Sequence, residues 1–209
     1  MAYSSVWFFT KLPSGVVEEL NNDLKDNFDK EFDSSRLLGG SLNNNIRNSL
    51  NAWIPSEHWI GGFLWNYVLK VNRENFLYDL DFIDGGSMQY TCYKEGMFYN
   101  WHTDGGITNN YKPLILDNHN NDIQETRADY VDRKVEKVRK LSFSLQLSDH
   151  DDYEGGNVEF FDENRRKFVA PRQRGSIIFF DSRTIHRVTK IRNGTRRSIV
   201  GWVVGPRWK

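Results

Sequence analysis

Apolar residues at helical spacing dominate the first part of the chain, over residues 13–80. One helix is predicted to begin at Pro13-Ser14, and a second to cover Glu57–Asn75. Their apolar stripes consist of Leu20, Leu24 and Phe28 in the first, and of Trp59, Phe63, Trp65, Val68, Leu69 and Val71 in the second. We therefore predict a helical buttress over residues 1–80.

From about residue 80 the pattern changes to short β-branched and aromatic runs separated by Gly, Asn and Asp turns, which is typical of a sandwich or barrel. The predicted strands are 87–94, 97–103, 141–147, 157–161, 166–169, 175–180, 185–191 and 196–204. The turn signals between them are Glu95-Gly96, Glu154-Gly155-Gly156, Asp162-Glu163-Asn164 and Asn193-Gly194. The pattern predicts an α+β, mainly β fold: a double-stranded β-helix (jelly-roll) over 81–205 with N-terminal supporting helices, within one domain, 1–209.

Residues 105–140 interrupt the even spacing of the strands. The segment is mostly polar after Gly105-Gly106, and a loop of this length inside a domain is usually functional or disordered. Two interpretations stay open: the segment is a solvent-exposed loop, or it is a flap that binds the substrate.

Composition narrows the classes of partner and location. The formal net charge is +0, so charge gives no argument for nucleic acid or membrane as a partner. Cys92 is the single cysteine, which excludes an intrachain disulfide and favours a reducing compartment. The first residues carry no signal-like or membrane-spanning apolar run. These features predict a cytoplasmic protein.

A candidate metal site lies in His102-Thr103-Asp104, together with His186. In an extended strand residues i and i+2 point to one face, so His102 and Asp104 can reach the same ion. Two histidines and one carboxylate form the facial triad of non-haem Fe(II) oxygenases. The alternative is that these histidines are structural. The position of His102 at the end of a predicted strand, before two glycines, favours the metal site.

The stretch from Leu141 to Trp202 carries a family resemblance. Its matching elements are the DDYEGG turn, an apolar strand followed by H-R-V, and a V-x5-G-T-R segment that ends in Trp. Upstream, Tyr93 to Tyr99 followed by His102-x-Asp104 resembles a Y-x-x-G-x-[FY] and H-x-D segment. Together, over about residues 87–205, the chain resembles the prolyl-4-hydroxylase-like 2-oxoglutarate/Fe(II) dioxygenases, especially the bacterial PKHD-type hydroxylases.

The resemblance implies a role for each matching position. His102, Asp104 and His186 would bind iron, and Arg196, ten positions beyond the second histidine, would bind 2-oxoglutarate. The other implied neighbours of the co-substrate are Tyr93, Gln146 and Trp202.

A hairpin at Asn193-Gly194 leaves open which of two arginines, Arg196 or Arg197, lies on the same face as His186. A two-residue loop would place Arg197 on the face of His186, whereas a three-residue loop would place Arg196 there. The family spacing favours Arg196.

The resemblance also implies a reaction. 2-Oxoglutarate, O2 and Fe(II), with ascorbate as a reductant, would hydroxylate a substrate and release succinate and CO2. Asp104 favours hydroxylation, since halogenating members of the wider family lack the carboxylate ligand. The implied substrate is a protein or peptide residue, most plausibly proline.

Three other functions share part of this pattern. A hydroxylase of a free amino acid or small metabolite would need a further carboxylate- or amine-binding group, which the sequence does not identify. A nucleobase-oxidising enzyme would place its co-substrate arginine much further beyond His186 and would carry a basic surface. A non-catalytic jelly-roll binding module would have no reason to keep the triad and the arginine.

Overall fold

The computed structural model describes residues 7–34, 46–55, 57–83, 88–105, 137–161 and 164–208. The helices are α1 (Ser14–Phe28) and α2 (Trp59–Val71), and a π-helical turn, Asn72–Phe76, continues α2. The strands are β1 (Trp7–Lys11), β2 (Asp33–Ser34), β3 (Arg47–Asn48), β4 (Leu50–Ile54), β5 (Phe82–Ile83), β6 (Met88–Tyr93), β7 (Phe98–His102), β8 (Lys137–Gln146), β9 (Tyr153–Gly155), β10 (Val158–Phe161), β11 (Lys167–Val169), β12 (Ser176–Asp181), β13 (His186–Val188), β14 (Ile191–Gly194) and β15 (Arg196–Pro206).

These strands form two main antiparallel sheets. The major sheet has the order β1-β12-β8-β15-β6-β4-β2, with β5 paired to β15. The minor sheet has the order β11-β10-β13-β7-β3, and β14 pairs with β9 in a small third sheet. Mostly non-sequential neighbours in antiparallel sheets are what a jelly-roll requires. The predicted fold class, a mainly β jelly-roll with supporting helices, is confirmed.

The two faces of the major sheet differ in polarity. Side chains alternate between faces along a strand, and the apolar set on one face joins the main hydrophobic core. This set includes Tyr90, Leu141, Phe143, Leu145, Ile177, Phe179, Ile199 and Val203. The other face carries mostly polar or amphipathic groups: Gln89, Thr91, Tyr93, Ser142, Ser144, Gln146, Arg196, Ser198 and Trp202. Burying polar groups costs free energy unless they are hydrogen-bonded.

Both helices belong to the apolar core of the major sheet. In α1 the buried residues Val17, Leu20, Leu24 and Phe28 recur every three or four positions, so they form one stripe. In α2 the equivalent stripe is Ile60, Leu64, Val68 and Val71. The predicted helices are therefore found at nearly their predicted bounds. None of the described helices is long and apolar enough to cross a membrane.

The prediction of a mostly helical segment over residues 1–80 missed four short strands, β1 to β4. β1 forms an edge of the major sheet beside β12, while β3 joins the minor sheet and β4 joins the major one. These strands are short, and their pairing partners lie far along the chain, so local periodicity carries little signal for them. The eight predicted strands are present, although 185–191 is divided between β13 and β14.

The predicted insertion, 105–140, lies mostly outside the described residues. Its last residues, Lys137–Lys140, are not part of a loop but begin β8, which pairs with β15 as far as Lys137. The predicted turn at Glu154-Gly155-Gly156 is partly strand, because β9 reaches Gly155.

We predict that Gly201→Ala destabilises the fold by about 1–3 kcal/mol, the usual cost of overpacking a core. A Cβ at Gly201 would lie 2.4 Å from Cζ of Phe143, its buried cross-strand partner. Urea unfolding followed by circular dichroism measures the change.

Gly62→Ala in α2 is the matched control. A Cβ there meets nothing within 4 Å, and alanine favours a helix over glycine by about 0.8–1 kcal/mol. It should therefore stabilise the protein slightly. Equal effects from both substitutions would contradict the packing account.

Candidate active site

The pairing of β7 with β13 sets the centre of the site. His186 lies opposite His102 and Val188 lies opposite Tyr99, so the register shifts by one residue between these pairs. Two residues of β7 therefore oppose one residue of β13, which is a β-bulge, a feature that often re-aims side chains near active sites. The bulge lets Tyr99 and His102, three positions apart, stack with ring centroids 3.5 Å apart.

Both histidines are oriented in the same way by the backbone. Nδ1 of His102 lies 2.7 Å from the carbonyl oxygen of Asn100, and Nδ1 of His186 lies 2.9 Å from that of Thr184. Because a carbonyl oxygen can only accept, each Nδ1 is the protonated nitrogen. Each Nε2 then keeps a free lone pair, as a metal-binding imidazole requires.

Asp104 lies just beyond the end of β7. The backbone N–H groups of Asp104 and Gly105 both donate to the carbonyl oxygen of Ser182, at 2.9 Å. This anchor brings one carboxylate oxygen to 3.6 Å from His102 Nε2 and the other to 3.6 Å from His186 Nε2. The three predicted metal ligands thus present their donor atoms within 4.8 Å of one another.

Protonation states at neutral pH suit a metal site. Burial lowers the pKa of His186 to about 4, so its imidazole is neutral. Burial alone would raise the pKa of the Asp104 carboxyl, but the adjacent His186 and His102 outweigh it and hold that pKa below its ordinary value. A neutral His186 imidazole and the Asp104 carboxylate are therefore available beside His102, and two histidines with one carboxylate form a donor set that fits Fe(II) in a facial triad.

The triad lies in a cavity that residues of both main sheets line. Besides the triad, its lining residues are Arg47, Gln89, Tyr93, Tyr99, Phe143, Ser144, Val158, Phe180, Val188, Arg196, Ser198, Val200 and Trp202. Aromatic rings of Phe160 and Phe180 pack against His186. His186 therefore lies against a largely apolar wall.

Arg196 lines this cavity and Arg197 does not. Arg196 is 2% exposed, and its Nη1 donates to Ser198 Oγ at 3.2 Å. Its Nε and Nη2 make no hydrogen bond within the described chain, so one whole edge of the guanidinium is available. Arg197 lies on the opposite face of β15 and pairs with Asp29, at 3.2 Å.

The predicted hairpin at Asn193-Gly194 is wrong. β14 pairs with β9, whereas β15 pairs with β6 and β8, so Asn193-Gly194 does not connect two paired strands. The alternation along β15 in the major sheet separates the two arginines instead. It places Arg196, Ser198 and Trp202 on the cavity face.

Of the other predicted neighbours of the co-substrate, Tyr93, Gln146 and Trp202, only two line the cavity. Tyr93 and Trp202 line the cavity, and Arg196 lies 5.7 Å from the centre of the Tyr93 ring. Gln146 is not among the lining residues, because its amide donates to the Tyr153 hydroxyl at 3.0 Å and to the Ser148 carbonyl oxygen. The structure thus brings two of these three residues into the cavity.

Sequence reasoning missed Arg47, Gln89 and Tyr99, which also line the cavity. Arg47 belongs to a two-residue strand within a region predicted as helical, so no local pattern could have marked it. Tyr99 lies at an odd spacing from His102, and only the bulge in β7 brings both to one face.

A second cluster of potential metal ligands in the described part of the chain is Asp149, His150 and Asp151, all exposed. No further observation sets this cluster apart from an ordinary solvated turn.

The family comparison matches the part of the chain that builds the site. The model of the 2OG-Fe(II) oxygenase superfamily matches residues 88–204. Among curated proteins, a PKHD-type hydroxylase from Synechococcus sp. (strain JA-2-3B'a(2-13)) is 32% identical over 118 residues, which cover 56% of this chain and 42% of the relative. One from Prochlorococcus marinus is 45% identical over 65 residues, covering 30% of this chain and 28% of the relative. The chain thus spans less than half the length of these relatives.

Solved structures show the same fold. A Pseudomonas putida prolyl-4-hydroxylase has a TM-score of 0.68 at 17% identity, covering 100% of this chain and 95% of its own. A Trichoplax adhaerens prolyl hydroxylase, in complex with a hypoxia inducible factor peptide fragment, has a TM-score of 0.68 at 16% identity, with 95% and 83% covered. Since the family model spans more than half of the 209 residues, the chain belongs to the 2OG-Fe(II) oxygenase superfamily.

Proposed function

We propose that this protein is an Fe(II)- and 2-oxoglutarate-dependent hydroxylase that acts on a proline residue of a protein or peptide. The observation that carries the proposal is the combination of two features in one cavity. An oriented His102, Asp104 and His186 set lies there, together with Arg196, a buried guanidinium with a free edge. A structural metal site or a binding module would need only one of them.

Each residue has a defined task in this proposal. Fe(II), when bound, supplies the activation of O2 that couples decarboxylation of 2-oxoglutarate to hydroxylation. His102, Asp104 and His186 would hold the ion on one side and leave the other coordination positions to co-substrate and O2. Arg196 would bind the distal carboxylate of 2-oxoglutarate, since a guanidinium edge matches a carboxylate in bidentate geometry.

The aromatic lining positions the co-substrate and keeps the metal ligands dry. Tyr93 lies beside Arg196, and Trp202 lines the cavity further along β15. Burial raises the pKa of Tyr99 to about 12, so its hydroxyl remains protonated and its ring stays a neutral support for His102. Gln146 is given no direct contact with co-substrate, because its amide is engaged with Tyr153.

Support for a proline substrate comes from similarity. The most similar solved structures include prolyl hydroxylases, one of them with a bound peptide fragment, and the curated relatives are PKHD-type hydroxylases. Ascorbate as a reductant and a cytoplasmic location belong to the same proposal.

We predict that His186→Ala lowers succinate formation from 2-oxoglutarate at least 100-fold, because the protein loses an iron ligand. His150→Ala is the matched control: His150 belongs to the exposed second cluster, so the activity should stay within twofold of wild type. Succinate is measured with purified protein, Fe(II), O2 and ascorbate, and bound iron is measured in parallel. Equal loss in both variants, or full activity in His186→Ala, would contradict the assignment of the site.

Arg196→Gln should weaken 2-oxoglutarate binding about 10- to 100-fold, since a hydrogen bond to a charged group contributes about 1.5–3 kcal/mol. Iron binding should persist because Arg196 is not a ligand. Arg197→Gln, one residue along on the opposite face, should change the affinity less than twofold. Anaerobic calorimetric titration of the Fe(II)-loaded protein with 2-oxoglutarate measures both; a larger effect at Arg197 would refute the assignment.

The proposal that the substrate is a proline residue of a peptide has its own test. Proline-containing peptides should stimulate succinate formation several-fold and gain one oxygen atom each, detected by mass spectrometry, and omission of ascorbate should shorten the period of steady turnover. Stimulation by free amino acids with none by peptides would move the assignment to a small-molecule hydroxylase.

A further inference from the structure

A second buried arginine, Arg47, lines the same cavity as Arg196. It is 6% exposed and comes from β3 of the minor sheet, whereas Arg196 comes from β15 of the major sheet. Among the described residues neither guanidinium has a carboxylate partner, which is unusual because buried charges are normally paired.

Neutral oxygens hold Arg47 in a fixed orientation. Its Nε donates to Ser49 Oγ at 3.0 Å, and its Nη2 donates to Asn51 Oδ1 at 3.2 Å and to Gln89 Oε1 at 3.0 Å. These bonds use every N–H of Nε and Nη2. The two N–H groups of Nη1 have no hydrogen-bond partner in the described part of the chain, so this nitrogen is the donor that the guanidinium has to offer a ligand.

Arg47 lies close to the metal ligands. Its guanidinium carbon is 4.7 Å from the centre of the Tyr99 ring, and that ring stacks on His102. Tyr99 is therefore in contact with both the cation and a metal ligand. A group bound to Arg47 would lie beside the reacting centre, where a substrate must be held.

Within the described residues, the charges that line the cavity leave Arg47 without a counterion. Among the described lining residues Asp104 carries the only carboxylate, and it offsets one of the two charges of Fe(II). The two carboxylates of 2-oxoglutarate would offset the other metal charge and Arg196. Arg47 would then remain as a buried, uncompensated cation, which favours one more anion in the cavity.

We propose that Arg47 binds a carboxylate of the primary substrate. The inference rests on the proposed function, and it supplies the further carboxylate-binding group that a hydroxylase of a free amino acid requires. The same chemistry can come from a free amino acid, from the C-terminus of a peptide or from an acidic side chain next to the target residue. Arg196, with a whole edge free, remains the site for 2-oxoglutarate.

A purely structural role for Arg47 makes a different prediction. Arg47 links β3 to β4 and β6 through Asn51 and Gln89, so its loss could simply loosen the sheets. A structural arginine would not distinguish a carboxylate ligand from the neutral amide of the same shape. That comparison can be made in the wild-type protein, without relying on how a variant folds.

The test is anaerobic calorimetric titration of the protein loaded with Fe(II) and 2-oxoglutarate, in which binding is measured without turnover. Three matched pairs of ligands, each a carboxylate and its neutral amide, distinguish the three sources of the carboxylate. They are L-proline and L-prolinamide, acetyl-Ala-Pro and its C-terminal amide, and acetyl-Ala-Pro-Glu-Ala-amide and the same peptide with Gln in place of Glu. In at least one pair the carboxylate should bind about tenfold or more tightly than its amide. Arg47→Gln should abolish this difference, and Arg47→Lys should retain part of it.

Arg192→Gln is the control for loss of a positive charge, because Arg192 is exposed and pairs with Glu154 outside the cavity; it should leave the discrimination unchanged. Wild-type protein that binds 2-oxoglutarate but fails to prefer any of the carboxylates would overturn the inference alone. Arg47→Gln that weakens 2-oxoglutarate binding as much as Arg196→Gln would also overturn it, since Arg47 would then serve the co-substrate. Wild-type protein that binds no 2-oxoglutarate would refute the proposed function itself.

Discussion

The pairing of β7 with β13 is the constraint on which the site depends. It brings His102 and His186 into register, and the bulge in β7 adds Tyr99 to the same face. The carbonyl groups of these two segments then fix the tautomer of both imidazoles. Asp104 is positioned by the hydrogen bond from its backbone N–H to the carbonyl oxygen of Ser182. The Ser182 hydroxyl in turn contacts the hydroxyl of Ser142 in the major sheet. The geometry of these three side chains is thus set by backbone pairing and backbone hydrogen bonds.

The major sheet supplies the second requirement, a buried polar surface. Its apolar face is covered by α1 and α2, and that packing stabilises a sheet whose other face holds the charge of Arg196. Burying a guanidinium that has no carboxylate partner among the described residues costs free energy, and the stability of the helix-covered face compensates for this cost. The same reasoning applies to Arg47 in the minor sheet, which neutral oxygens orient but do not neutralise.

The sequence predicted what is local. Period-two strands, the H-x-D triplet and the distant His186 could be found because each has a short-range pattern, and Arg196 was favoured through family spacing. The contribution of β3 could not be found, since Arg47 meets Tyr99 only through a pairing of distant segments. The bulge in β7 was equally hidden, because it is defined only by the pairing of β7 with the distant β13. Gln146 was placed near the co-substrate by analogy, whereas its amide is bound to Tyr153.

The central claim is that iron and 2-oxoglutarate occupy one site built by His102, Asp104, His186 and Arg196. Its most direct test is the visible absorption that 2-oxoglutarate produces when it chelates protein-bound Fe(II) in the absence of O2. We predict that the band develops in wild type with one equivalent of each. It should need a much higher 2-oxoglutarate concentration in Arg196→Gln and should be absent in His186→Ala. Iron bound at one equivalent with no band on addition of 2-oxoglutarate would contradict the account.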